Sequence, residues 1–246
     1  MVRSLLLEGA TVDPADVLLA QSPGRAARPI DVRSLGPLAA AIALAVAACS
    51  PPTNDEANPA PPAGLDPDDV VSGGPPPDGI PSIDDPAFVE ARHADFLAPQ
   101  EPVILLEHAG LQKVYPIRIL MWHEIVNDEV AGLPVAVTYC PLCNTGVAFR
   151  RELDDGRVLD FGTTGKLLHS NLVMYDRQTG SWWVQATGDA FDGPLTGRRL
   201  EALPAQMVAW ADARGRFADA LVLSPDTGFD RDYGRNPYVH YDGGRG

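Results

Sequence analysis

Between Ser50 and Gly79 the chain carries almost nothing that a core could bury, and this gap decides where folding can start. The stretch is dominated by Pro, Ala, Asp and Gly and ends near Pro75-Pro76-Pro77. Its apolar content is too low to offset the entropy of ordering a chain, so residues 49–79 read as an extended, disordered tether. Hydrophobic patterning begins at Ile80 and continues to about Val239. Residues 80–246 therefore read as a single folded domain, long enough for one sizeable core.

The residues before the tether have a different logic. Leu38 to Ala48 is an uninterrupted apolar run of eleven residues, well short of the roughly 20 needed to span a bilayer. It ends in Val46-Ala47-Ala48-Cys49. As a buried helix the run would have nothing to pack against, because a Pro-rich stretch follows at once. Small residues before a Cys, after such a run, resemble the lipobox of bacterial lipoproteins. That resemblance implies that Cys49 is acylated on its sulfur and becomes the mature N-terminus. Arg33 supplies the upstream positive charge, and residues 32–48 form the signal peptide. Residues 1–31 contain Asp13, Asp16 and Asp31, unlike a short, basic signal start. We expect translation to begin at Val32, leaving 1–31 as a non-native extension. The expected location is the cell membrane or outer membrane, lipid-anchored and facing the extracytoplasmic side. The partner this implies is the membrane itself, through the lipid; protein partner and substrate stay open. The formal net charge of −14 repels phosphate backbones and speaks against nucleic acid as a partner.

Within the domain, Val103–Leu106 reads as a strand turned by His108-Ala109-Gly110. Residues 117–126 place apolar side chains at 117, 120, 121 and 125, one helical face, behind Pro116 as a helix start. Leu133–Tyr139 is Val-rich and reads as a strand. Val147–Phe149 and Val158–Phe161 suggest a hairpin around Asp154-Asp155-Gly156, and Leu172–Tyr175 with Trp182–Val184 another around Arg177–Gly180. Residues 205–218 suggest a further helix and Leu221–Leu223 a late strand. The fold class is mainly β (α+β): a compact antiparallel sandwich or barrel-like domain with two or three short helices.

The chemistry-bearing signal is Thr138-Tyr139-Cys140-Pro141-Leu142-Cys143-Asn144-Thr145-Gly146. Two cysteines spaced Cys-x-x-Cys bring their sulfurs close. Such a pair can hold a soft metal, exchange disulfides, or close an inert local disulfide. A strand, a knuckle and a strand suit a metal-binding knuckle better than a thiol opening a helix, which favours a Cu or Zn centre. A second Cys pair is missing, so other ligands must come from elsewhere. Among His93, His108, His123, His169 and His240, His123 is the first candidate, since Trp122 and the apolar helix face would carry it inward; His169 is the weaker one. Dithiol–disulfide oxidoreductase chemistry at the same pair, and a scaffold stapled by a structural disulfide, stay open beside the metal. The paired Trp182 and Trp183 could line a cleft, but one packing inward and the other capping a sheet edge is the plainer reading. No nucleophile elbow, His-Glu-x-x-His helix or Gly-rich phosphate loop is present, so hydrolase templates lack support.

In order, Pro116–Leu120, Trp122–Asp128, Thr138–Cys143, Phe161-Gly162, Ser170–Arg177, Gly180–Trp183, Gly193–Gly197, Leu203-Pro204 and Leu223–Gly228 resemble a prokaryotic family catalogued as domain of unknown function 3179. The likeness runs from about Gly79 to about Tyr241. It implies kinship without an activity. One departure is Asn144, where the pattern expects Gly; Asn tolerates left-handed backbone, so the turn should survive.

Overall fold

The Val-rich run Leu133–Cys140 forms a strand buried on both faces. Val135, Val137 and Tyr139 enter one core, shared with Ile104, Tyr115 and Leu120. Ala136 and Cys140 enter another, shared with Phe161, Met174 and Trp183. Successive side chains of a strand point to opposite faces, so the continuous apolar run marks a central layer.

The structure is a computed structural model that describes residues 60–239. That central strand belongs to a four-stranded sheet in the order Ala202–Leu203, Thr145–Arg150, Leu133–Cys140, Ile125–Val130. On one side lies a sheet in the order Val71–Ser72, Phe161–Leu168, Asn171–Asp176, Trp182–Val184, Ala190–Asp192. On the other lies a sheet in the order Ala205–Ala209, Pro102–His108, Leu111–Pro116, Leu221–Leu223, Phe88–Glu90. All these pairings are antiparallel except that of Leu221–Leu223 with Leu111–Pro116. The result is sandwich-like and mainly β, with no closed barrel among the described residues. Among the described residues two short α-helices complete it, α1 (Ile117–His123) and α2 (Trp210–Arg216). Trp210 and Ala213 of α2 join a further core with Val103, Val114 and Val222.

The folded region begins well before Ile80. Val71–Ser72 pairs with Leu167 and Lys166. The Gly73 amide donates to the Gly165 carbonyl at 2.8 Å and the Asp78 amide to the Thr163 carbonyl at 2.9 Å. A Cβ at Gly165, whose φ is +68°, would lie 1.9 Å from the Pro75 oxygen. This glycine, at an irregularity in its strand, is what lets the segment pass so closely. Residues 70–80 are thus a strap bound across the sheet, which corrects the expectation of a disordered tether reaching Gly79. Its main-chain hydrogen bonds supply what its side chains lack. The tether residues 49–59, the signal and Cys49 lie outside the described residues.

Three local expectations also change. Helix α1 stops at His123, because Glu124 takes φ +59° and ψ −31°. Ile125 then starts a strand, and the Ile83 amide donates to the Ile125 carbonyl at 2.9 Å. In the 205–218 stretch, Ala205–Ala209 is a strand pairing with Pro102–His108, and only the second half is helical. Around Asp154–Gly156 the turn exists, but only a Glu152–Val158 bridge joins its arms, and Phe161–Leu168 pairs instead with Asn171–Asp176. The hairpin of Asn171–Asp176 with Trp182–Val184 forms as expected.

Candidate functional site

Cys140 is the last residue of the central strand, and it pairs with Thr145 of the next. Pro141 to Asn144 make the connection. Asn144 sits at φ +50°, as the turn requires, and its Oδ1 accepts from the Tyr139 hydroxyl at 2.9 Å. The strand pleat sends Cys140 into the interior, while the turn leaves Cys143 exposed. Both thiols are free.

Their environments oppose one another. Burial pushes the Cys140 thiol up to about 12. Partial burial also resists ionisation of Cys143, but hydrogen bonding with Cys140, Thr145 and Asn171 outweighs it and holds that thiol below its ordinary value. The Asn171 amide nitrogen donates to the Cys143 sulfur at 3.1 Å. Asn171 is itself fixed, its Oδ1 accepting from the Ala186 amide at 3.0 Å and its Nδ2 also reaching Gln185 Oε1 at 3.1 Å. Gln185 donates in turn to Thr138 Oγ1 at 2.9 Å and to the Thr145 carbonyl at 3.1 Å. Thr138, Asn171 and Gln185 are all buried. A buried polar chain therefore presents one donor to an exposed sulfur, and such donation favours the thiolate.

A cleft of about 290 Å³ opens beside the pair. The strap forms one wall through Gly73, Pro75 and Ile80, and Arg231, Pro237 and Tyr238 form the other. Cys140, Pro141 and Leu142 also line it. Glu124 faces the same space, 6% exposed, its carboxylate accepting from the Tyr238 hydroxyl at 2.8 Å. Burial raises this carboxyl to about 7, against the opposing effect of that hydrogen bond. A buried acid on a backbone conformation that non-glycine residues avoid is a common mark of a functional position.

His123 is buried, as the sequence suggested, but serves elsewhere. Its Nδ1 is 2.7 Å from the Pro81 carbonyl and its Nε2 2.6 Å from the Tyr233 hydroxyl. With both nitrogens engaged, His123 is a strut between Pro81, the residue after the strap, and the C-terminal segment. His169 lies exposed in the turn after Phe161–Leu168, its Nε2 3.3 Å from the Gly64 carbonyl. Among the described residues, no three His, Cys, Asp or Glu side chains gather into a metal-holding group; the two sulfurs make half a site. Trp183 is fully buried and donates to Asp176 at 2.9 Å. Trp182 is half-buried against Phe191, on a strand paired on both sides, so Trp183 packs inward as expected while Trp182 covers the opposite face of the sheet and not its edge.

Sequence reasoning found the two cysteines and passed over Glu124, Asn171 and Gln185. Only the recurrence of Glu124 and Asn171 within the matching motifs marked those two.

Searches of curated proteins and of solved structures find no match. The family model described as "Protein of unknown function (DUF3179)" matches residues 77–245, and the chain belongs to that family.

Proposed function

We propose that the chain is a lipid-anchored extracytoplasmic protein that exchanges disulfides, with Cys143 as the attacking sulfur and Cys140 as the resolving one. The observation that carries this reading is the opposition of the two thiols: one exposed and held below its ordinary value by hydrogen bonds, the other buried and pushed up to about 12. Exchange needs one sulfur ionised to attack and a second to follow. The Cys143 thiolate attacks one sulfur of a substrate disulfide, forming a mixed disulfide and expelling the first substrate thiolate. Cys140 then gives up its proton and attacks the Cys143 sulfur, closing the Cys140–Cys143 disulfide and expelling the second. The substrate gains two electrons and the pair loses them; run backwards, the oxidised pair oxidises a dithiol. Glu124, in the same cleft, is the acid–base group suited to take the Cys140 proton. Lipid anchoring follows from the apolar run ending at Cys49.

The test uses the reduced chain carrying Cys49→Ser. Iodoacetamide should label Cys143 while Cys140 stays protected, read by peptide mass spectrometry. Equilibration with glutathione should give a potential of about −120 to −270 mV, the span of exchange proteins. A potential below about −300 mV would make the pair a structural staple. One Cu or Zn per chain retained without added metal would restore the metal reading.

A further inference from the structure

The polar groups of a ligand site are few, and each fixes what a ligand must offer. Strand register removes one cation from the cleft. Leu167 stands opposite Leu172, and both line it. Lys166 stands opposite Val173, and its ammonium lies over the Trp182 ring at 5.2 Å, on the other face of the sheet. Much of the remaining wall is apolar, with Pro75, Ile80, Met121, Leu142 and Pro237. At about 290 Å³ the space lies near the lower end of ligand pockets, roughly 300–1,000 Å³, which suits a small molecule.

Glu124 is the acid of this wall. It is buried, and no cation pairs with it among the described residues. Its Oε1 accepts from the Tyr238 hydroxyl at 2.8 Å, and its Oε2 has no partner among the described residues. A neutral carboxyl accepts through its carbonyl oxygen and donates through its hydroxyl. The Tyr238 contact therefore makes Oε1 the carbonyl and leaves the proton on Oε2. Burial keeps that proton in place up to about 7. A donor without a mate in apolar surroundings calls for an acceptor.

We infer that the cleft binds a small, neutral, largely apolar carbonyl compound, whose oxygen accepts from Glu124 Oε2 while its hydrocarbon part lies against the apolar wall. A cationic ligand would meet a neutral acid and the Arg231 charge in the same cleft. An anion would have to shed its water against apolar side chains, and a ketone satisfies the same donor without that cost. The site does not rest on the exchange reading. Under that reading, Glu124 serves Cys140 only when it is ionised and the cleft is empty.

The proton makes the site sensitive to pH. Around Glu124, burial holds Tyr139, Tyr238 and Cys140 protonated above the neutral range and lowers His123. The guanidinium of Arg231 keeps its charge throughout. Between pH 6.5 and 8.5 the group of this wall that changes is therefore Glu124.

The experiment is calorimetric titration of the full reduced chain with 4-phenyl-2-butanone, 3-phenylpropionate and 3-phenylpropylammonium, which share an aryl chain and differ in charge. At pH 6.5 the ketone should bind saturably, and each ion about tenfold more weakly or worse, the scale of one hydrogen bond. At pH 8.5 the ketone should bind about 25-fold more weakly, because only chains that still hold the proton are competent. The ketone does not titrate, so this loss belongs to the protein. Glu124→Gln turns its carbonyl to Tyr238 and an N–H to the ligand, with no proton to lose, and should bind the ketone alike at both pH values. Glu124→Met removes the donor and should weaken the ketone about tenfold at pH 6.5; should it fail to fold, the Gln variant decides alone. No saturable ketone binding at pH 6.5, an ion binding as tightly as the ketone, no loss at pH 8.5, or a loss that persists in the Gln variant would overturn the proposal. The ketone carries no sulfur, so this site and the exchange reading fail separately.

Discussion

Replacing Glu124 by Gln should stabilise the protein in alkaline solution, by an amount the structure sets. The folded carboxyl titrates at about 7, raised from an ordinary 4.5 by burial. Between those values the folded chain holds a proton that the unfolded chain has released. Stability contributed by this group is therefore full below pH 4.5 and is lost as pH rises through about 7. A gap of about 2.5, at 1.36 kcal/mol for each, amounts to roughly 3 kcal/mol. Gln keeps the shape and an oxygen to accept from Tyr238, and it carries no charge. The backbone strain at φ +59° is common to both proteins and cancels. Urea unfolding at pH 4, 5.5 and 8 measures the difference. At pH 4 wild type and variant should nearly coincide; at pH 8 the variant should gain roughly 1–2 M in midpoint, for a urea slope near 2 kcal/mol per M. A difference that stays constant from pH 4 to 8 would show that Glu124 is not the buried acid described here.

Gly165→Ala should cost well over the ~1–2 kcal/mol of a left-handed alanine, because its Cβ would meet the Pro75 oxygen. Gly110→Ala, at φ +81° with nothing within 4 Å, should cost only that backbone share, and protease cutting between residues 70 and 80 should rise in the first variant alone. Lys113→Met should cost about 3–5 kcal/mol. It strips a buried Asp128 carboxylate of two contacts at 2.9 Å and leaves it Tyr115 at 2.7 Å; a loss below about 1 kcal/mol in urea unfolding would contradict this. Cys49→Ala should move the protein from the membrane fraction to the soluble fraction, since acyl chains hold by about 0.8 kcal/mol per buried methylene. An unchanged distribution would remove the anchor.

The central strand was legible because a short run that is apolar on both faces needs a layer on each side to bury it. The hairpin from Asn171 to Val184 was legible from its turn residues. Helix α1 read three residues too long for a tertiary reason: Ile125 continues the helical spacing, but the Ile83 main chain claims it. The strap was hidden because composition reports buried side chains and not main-chain pairing. Its one trace was Gly165 inside a strand, and the mate that needed the space, Pro75, is far away in sequence. The site divided the same way. Cys140 and Cys143 are neighbours in sequence and announced themselves. Asn171 and Gln185 act on Cys143 across sheets, and Glu124 matters through a dihedral angle, which no local pattern records.

That dihedral also explains why Trp122, His123 and Glu124 stand together. Trp122 Nε1 donates to the Arg235 carbonyl at 3.2 Å, His123 Nε2 meets the Tyr233 hydroxyl at 2.6 Å, and Glu124 accepts from Tyr238 at 2.8 Å. Successive residues of a continuing helix diverge by about 100°, since a turn takes 3.6 residues. Three in a row can grip one segment only if the helix ends among them. The positive φ at Glu124 ends it there, at a cost of order 1–3 kcal/mol, and the three side chains fan over residues 233–238. The same His123 holds Pro81 through its other nitrogen. One helix end therefore fastens both walls of the cleft, the strap before it and the C-terminal segment after it, around Cys140.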